Sequence, residues 1–532
     1  MENVKEFVQK MEMDTRVAAL MTGAACAVGA LVLLVRKGIS HKKTNDKIQI
    51  ARDRRTESLQ QAELAVLRYK ESRPSIDSAR ILNLSLSELT KQLKSGSLTP
   101  EDVFYSYMEK TLDVHKNLNC CTGVLLESFD QLKTIASNKD GLLYGVPVSI
   151  KENIAYKNHD SSCGVVINLD QPAKEDSVLV QVLKRQGAIP FVKTNLPQGL
   201  LNYDCGNPIY GQTVNPHNFQ KTSGGSSGGE GALVGGGGSV LGLGSDIGGS
   251  IRIPAAFCGI SGFKPTAGRI SSQGVKPIYR GQKSVLSSAG PMAKDVESLA
   301  LCMQALLCDH MFSLDPTIPP IPFNVQVYES TKPLRIGYLE NDGYLQPSPS
   351  MVRAIREVKA LLEQAGHTLV PYSPLKISYL VTELLIKGVF ADGAATLLKK
   401  LSVSDLWEHT VYYHSQSIEK QWYYQYKPQC DTVTNQYLFS ALPAALTCTM
   451  IYNLLTFPAG VVPVTTVTAE DEQELQHYTG IYQDRWDRLF KQAVSQSEGL
   501  PVAVQCVALP WQDELCLRFM KEVEQLVKQS RK

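Results

Sequence analysis

The reading of this 532-residue chain turns on "GGSSGGEGALVGGGG", Gly224–Gly238. Glycine fills 13 of the 26 positions from Gly224 to Gly249, a third of the chain's 39. Ordering glycine costs more backbone entropy than ordering any other residue, so such a density needs a reason. A flexible linker would stay polar. This stretch instead contains "ALV" and runs on into "SVLGLG" and "DIGGSIRIPAAFCGISGFKP", whose apolar content wants burial. A phosphate loop requires G-x-x-x-x-G-K-[ST], with the lysine neutralising terminal phosphates. The chain has no Gly-Lys-Ser or Gly-Lys-Thr, and the dinucleotide pattern G-x-G-x-x-G is missing too. What suits the stretch is a packed site where backbone approaches backbone or ligand closely.

Serines in the stretch raise a second question. Gly224-x-Ser226-x-Gly228 and Gly225-x-Ser227-x-Gly229 both fit G-x-S-x-G. A nucleophile elbow needs a strand leading straight into the serine, and the loop-like "NPHNFQKTSGG" precedes these instead. The other route to a reactive serine is a lysine base. A serine hydroxyl is weak until a base takes its proton, and burial disfavours an ammonium. Lys151 ends the apolar run "YGVPVSIK", and Ser250 follows Gly248-Gly249. A tight Gly-Gly turn can aim successive N–H groups at a developing oxyanion. Lysine, first serine and second serine would then form a proton relay.

Around this core the pattern is that of a mixed α/β sheet covered by helices. "GVPVSIK", "IPFVKTN", "LRIGYLE" and "FPAGVVPVTT" read as strands, while "DSVLVQVLKRQGA" and "SMVRAIREVKALLEQAGHTLV" begin helical. Ser85-Leu86-Ser87-Glu88 fits a capping box, Gly96 a helix stop, and Thr99-Pro100 a new helix start. "DPTIPPIPF" (Asp315–Phe323) reads as a stiff connecting loop. Hydrophobic residues make up 43% and charged residues 20%, with net charge +2, so no field points to nucleic acid. The twelve cysteines form no C-x-x-C pair and read as reduced, mostly buried thiols.

Val17–Val35 is 19 residues without a charge, about the length that spans a bilayer core. Lys5, Lys10 and Arg16 before it are offset by Glu2, Glu6, Glu12 and Asp14, whereas Arg36, Lys37, Lys42 and Lys43 follow it. That bias predicts a single-pass anchor with the body on the cytoplasmic side. The expected division is an anchor over 1–40, a helical linker over 41–80 and a catalytic domain over 81–532.

"GGSSGGEGALVGGGGSVLGLGSDIGGSIRIPAAFCGISGFKPT" and "GVPVSIKEN" resemble the serine- and glycine-rich signature and the lysine segment of the amidase signature family. The resemblance runs from roughly Leu84 to the end. It implies an amidase-signature α/β fold: a large mixed twisted sheet covered by helices on both faces, here preceded by the transmembrane helix. It implies Ser250 as nucleophile, Ser226 as the bridge and Lys151 as general base. The N–H groups of Ile247, Gly248, Gly249 and Ser250 would surround the oxyanion, and Leu200 and Leu201 would line the substrate cavity. Ser227, Asp246 and Arg252 would brace the loop. No cofactor or metal is implied.

The anchor, with "NYDCGNPIYGQTVNP", "FPAGVVPVTTVTAEDEQEL" and "GLPVAVQCVALPWQDELCLRFMKEVEQL", is similar to a membrane-bound branch of that family. The branch cleaves fatty-acid amides such as anandamide and oleamide through an acyl-enzyme. Likeness to it implies a lipid-amide substrate, a lipid bilayer of the endoplasmic reticulum and a homodimer. It weakens between about Leu401 and Thr449, where the branch carries an amphipathic membrane cap and this chain is shorter. A reduced cap over about 388–430 is expected, with Tyr412, Tyr413, Trp422, Tyr423 and Tyr424 as an interfacial aromatic patch or a packed helix face. An amidase of small amides, or a catalytically silent membrane protein, are the alternatives.

Overall fold

The computed structural model describes residues 15–278, 283–389, 391–393, 395–402 and 447–531. Most of the expected cap region, including Tyr412, Tyr413, Trp422, Tyr423 and Tyr424, lies outside the described residues.

Eight strands form one mixed sheet: β1 (Cys121–Val124), β2 (Pro147–Lys151), β3 (Ile189–Thr194), β4 (Leu241–Asp246), β5 (Ser261–Lys264), β6 (Ser288–Ala293), β7 (Ala459–Thr466) and β8 (Pro501–Val507). Their spatial order is β1-β3-β2-β4-β6-β5-β7-β8. β2 runs parallel to both β3 and β4, and the other pairings are antiparallel. Parallel neighbours need a crossover. The helix Val178–Arg185 lies between β2 and β3 in the chain, and Gly228–Gly235 between β3 and β4. The second of these is the glycine-rich stretch itself, packed over β2, β3, β4 and β6. β2, β3, β4 and β6 are buried along their whole length, while β8 at the sheet's end alternates between buried and half-buried positions. Continuous burial is what covered central strands require.

Local signals hold where they are strongest. Ser85 caps Leu86–Ser95 through a reciprocal box with Glu88, and Gly96 ends that helix at φ +77°. Thr99 caps Pro100–Leu118. Arg335–Tyr338 is a strand as expected, but it pairs with Thr368–Pro371 in a small separate parallel sheet. Residues 315–323 form the expected loop, whose Pro322 carbonyl accepts from the buried Arg269 at 3.2 Å. None of the eleven cysteines described is in a disulfide.

The boundary read at residue 40 falls inside one unbroken helix, Thr15–Ser72. Its first half is apolar and exposed, from Leu20 through Val35. Its second half packs on the body through Ile48, Ala51, Ala62 and Val66. Arg52 Nε donates to Ile209 O (2.7 Å) and Arg55 Nη1 to Asn119 Oδ1 (3.1 Å). Arg54 pairs with Asp170 at 3.0 Å.

Candidate active site

Lys151 closes β2, and Ser245 and Asp246 close the neighbouring parallel strand β4. The carboxyl ends of parallel strands thus supply one side of the site, as in open α/β sheets generally. Lys151 is fully buried. Its Nζ lies 2.7 Å from Ser226 Oγ, 3.2 Å from Ser245 O and 3.1 Å from Ser245 Oγ. Burial pushes the ammonium down to about 7, against the attraction of the Asp246 carboxylate. A neutral amine has two N–H groups and one lone pair. Donating both N–H groups to Ser245 leaves the lone pair for the Ser226 hydroxyl.

Ser226 and Ser227 sit just before the helix Gly228–Gly235, and both are buried. The Gly225–Ser226 peptide is cis. Ser227 is a brace on three bonds. Its N–H donates to Ser250 O (3.0 Å), its Oγ donates to Ser245 O (3.3 Å), and its Oγ accepts from Ser245 N–H (3.3 Å). Ser250 is half-buried and lines a cavity with Gly225, Leu200, Leu201, Ile247, Gly248 and Met450. Lys151 and Ser226 are therefore in contact, and Ser250 is held against the same loop.

The turn before Ser250 is built around Asp246. Gly249 has φ +127°, a backbone that side chains with a Cβ rarely adopt. Its N–H donates to Asp246 Oδ1 at 2.8 Å, and that of Ile251 to Asp246 Oδ2 at 3.0 Å. Of the four amides expected around the oxyanion, the one of Gly249 is thus committed to Asp246. Those of Ile247, Gly248 and Ser250 have no acceptor among the described residues.

Arg252 completes the brace. It is fully buried, and all five of its donors are used. Nε and Nη2 hold Asp246 (3.0 and 2.9 Å), and Nη2 also reaches Asn453 Oδ1 (2.7 Å). Nη1 serves Thr449 O (2.9 Å) and Gln505 Oε1 (2.8 Å). Burial alone would raise the Asp246 carboxyl, but the Arg252 guanidinium holds it well below the usual carboxylate range. Arg252→Ala would leave that carboxylate buried and unpaired, at a cost of about 3–5 kcal/mol. Urea unfolding is expected to show a loss of that size, and Arg252→Lys, lacking the planar fork, is expected to recover little of it.

Three partners of this turn carry no mark in the sequence. Thr449 Oγ1 donates to Gly248 O (2.6 Å), Asn453 Nδ2 to Asp246 Oδ1 (3.0 Å), and Gln505 Nε2 to Cys448 O (2.8 Å). They lie some 200 residues or more from the turn they hold.

The chain is similar to several known proteins. The Amidase family model matches residues 102–440. Fatty-acid amide hydrolase 1 of Sus scrofa is 45% identical over 560 aligned positions, covering 94% of this chain and 96% of that protein. The vitamin D3 hydroxylase-associated protein of Gallus gallus is 54% identical over 400 positions, covering 75% and 85%. Among solved structures, a fatty acid amide hydrolase superposes with a TM-score of 0.75 at 26% identity, over 92% of this chain and 96% of that one.

Proposed function

This chain belongs to the amidase family and is an amide hydrolase, and from that premise we propose that it cleaves fatty-acid amides with Ser250, Ser226 and Lys151 as nucleophile, bridge and base. The observation that carries the reading is the buried, proton-poor Lys151 Nζ 2.7 Å from Ser226 Oγ. Lys151 takes the Ser226 proton as Ser226 takes that of Ser250. The Ser250 oxygen then attacks the amide carbonyl. The resulting oxyanion is met by the N–H groups of Ile247, Gly248 and Ser250, while that of Gly249 braces the turn through Asp246. An amine anion is a poor leaving group, so the proton returns through Ser226 to the departing nitrogen. The C–N bond breaks and an ester on Ser250 remains. Water repeats the attack and frees the fatty acid.

Two features favour a lipid acyl group. The cavity wall beside Ser250 is apolar, with Leu200, Leu201, Ile247, Ile253, Val389 and Met450. The helix that precedes the body exposes an apolar stretch that ends at Val35, long enough to cross a bilayer, and the basic residues after it orient the body to the cytoplasmic side. Each buried CH₂ contributes about 0.8 kcal/mol. Purified protein in detergent is therefore expected to hydrolyse oleamide with kcat/KM at least ~100-fold above that for acetamide. Equal rates, or a preference for acetamide, would instead assign it to small amides.

A further inference from the structure

Glu230 is a charged residue type in the first turn of the glycine-rich helix, and nothing in the relay uses it. We propose that Glu230 is a positioning residue, a latch that clamps the Ser226 loop onto the strand carrying Lys151. The inference rests on the relay proposed above.

The geometry is specific. Glu230 is fully buried, four residues after Ser226. Its Oε2 lies 2.6 Å from Ser149 Oγ, and its Oε1 accepts from Thr194 Oγ1 at 2.8 Å. Ser149 stands two residues before Lys151 on β2, so their side chains share one face of the strand. Thr194 is the register partner of Lys151 on β3. Ser149 Oγ continues to Ser239 Oγ (3.0 Å), which donates to Leu241 O (2.8 Å) at the start of β4. One carboxyl group thus joins the helix to three strands. The fit leaves no slack, since a Cβ on Gly242 would lie 2.1 Å from Glu230 Oε2.

The absence of charge follows from what surrounds it. Its hydrogen-bond partners are hydroxyls, and the titratable groups facing it are Lys151 on β2 and the thiols of Cys120 and Cys121. Burial pushes the carboxyl up to about 8, so it keeps its proton at neutral pH. That matters to the neighbour. An ionised Glu230 would attract a proton onto Lys151 and spoil the base, whereas a neutral one holds position without doing so.

Oleamide hydrolysis and the rate of fluorophosphonate labelling test this. Glu230→Gln keeps size and neutrality, so kcat is expected within about threefold of wild type, with the acid limb of the pH profile unmoved. Glu230→Ala frees the loop, and misplacement by an ångström costs ~10²-fold, so kcat is expected to fall by about that much with KM little changed. Thr194→Val removes one bond and is expected to slow kcat roughly 3–10-fold. A Gln variant as slow as the Ala variant overturns the proposal, as does a folded Ala variant with wild-type kcat and labelling rate. Should the Ala variant fail to fold, wild-type kcat in Thr194→Val overturns it. Lys151→Ala and Ser250→Ala run alongside, and full activity in those controls would sink the relay rather than the latch.

Discussion

Ser250→Ala is expected to abolish covalent labelling by a fluorophosphonate and to lower amide hydrolysis by about 10⁴- to 10⁶-fold. The size follows from the division of labour. Without the Ser250 oxygen no acyl-enzyme forms, and what survives comes only from binding and from the amides of the turn. The same experiment decides between serines, because the G-x-S-x-G match falls on Ser226 and Ser227. Ser226→Ala is expected to slow labelling while leaving Ser250 as the modified residue, read by mass spectrometry of the tryptic peptide. Label on Ser226 or Ser227 in the wild type would reverse the assignment.

Lys151→Ala is expected to cost ~10³- to 10⁴-fold in kcat, the range a positioned general base supplies. The pH dependence gives its sign. Burial pushes Lys151 down to about 7, and only its unprotonated amine can accept the Ser226 proton. Wild-type kcat/KM should therefore rise with pH through about 7 and level off above it. Residual activity of Lys151→Ala should lack that limb. A variant that keeps the wild-type rate, or one that keeps the limb, would show that another group is the base.

Much of this was legible in the sequence wherever a signal is local. The reciprocal bonds of Ser85 and Glu88 span three residues, and the fully buried β2 reads as an apolar run, broken only by Ser149, that ends in a lysine. Dense glycine marked the crowding around Ser226 and the turn at Gly249, but not that Gly228–Gly235 is helical. The turn's distant supports were not legible. Asn453 meets Asp246 across 207 positions, and Arg252 meets Gln505 across 253. Such contacts are set by how the strands order in space, and no periodicity in the chain encodes them. Glu230 escaped for a related reason. Its partners Ser149 and Thr194 are 81 and 36 positions away, and each is an unremarkable hydroxyl inside an apolar strand. The anchor and its linker read as two segments because composition changes near residue 40, although the backbone runs straight through.

That continuity has a geometric consequence. A 58-residue helix is about 87 Å long and turns about 100° with every residue. Its lower half is fastened to the body by Arg52, Arg54 and Arg55. The body therefore has a fixed azimuth about the axis of the apolar half. Adding one residue between Val35 and Thr44 would swing the cavity mouth by about 100° relative to whatever surface holds the apolar half, while seven residues, close to two full turns, would nearly restore it. Over that stretch the number of residues acts as a compass bearing, and their chemistry matters less than their count.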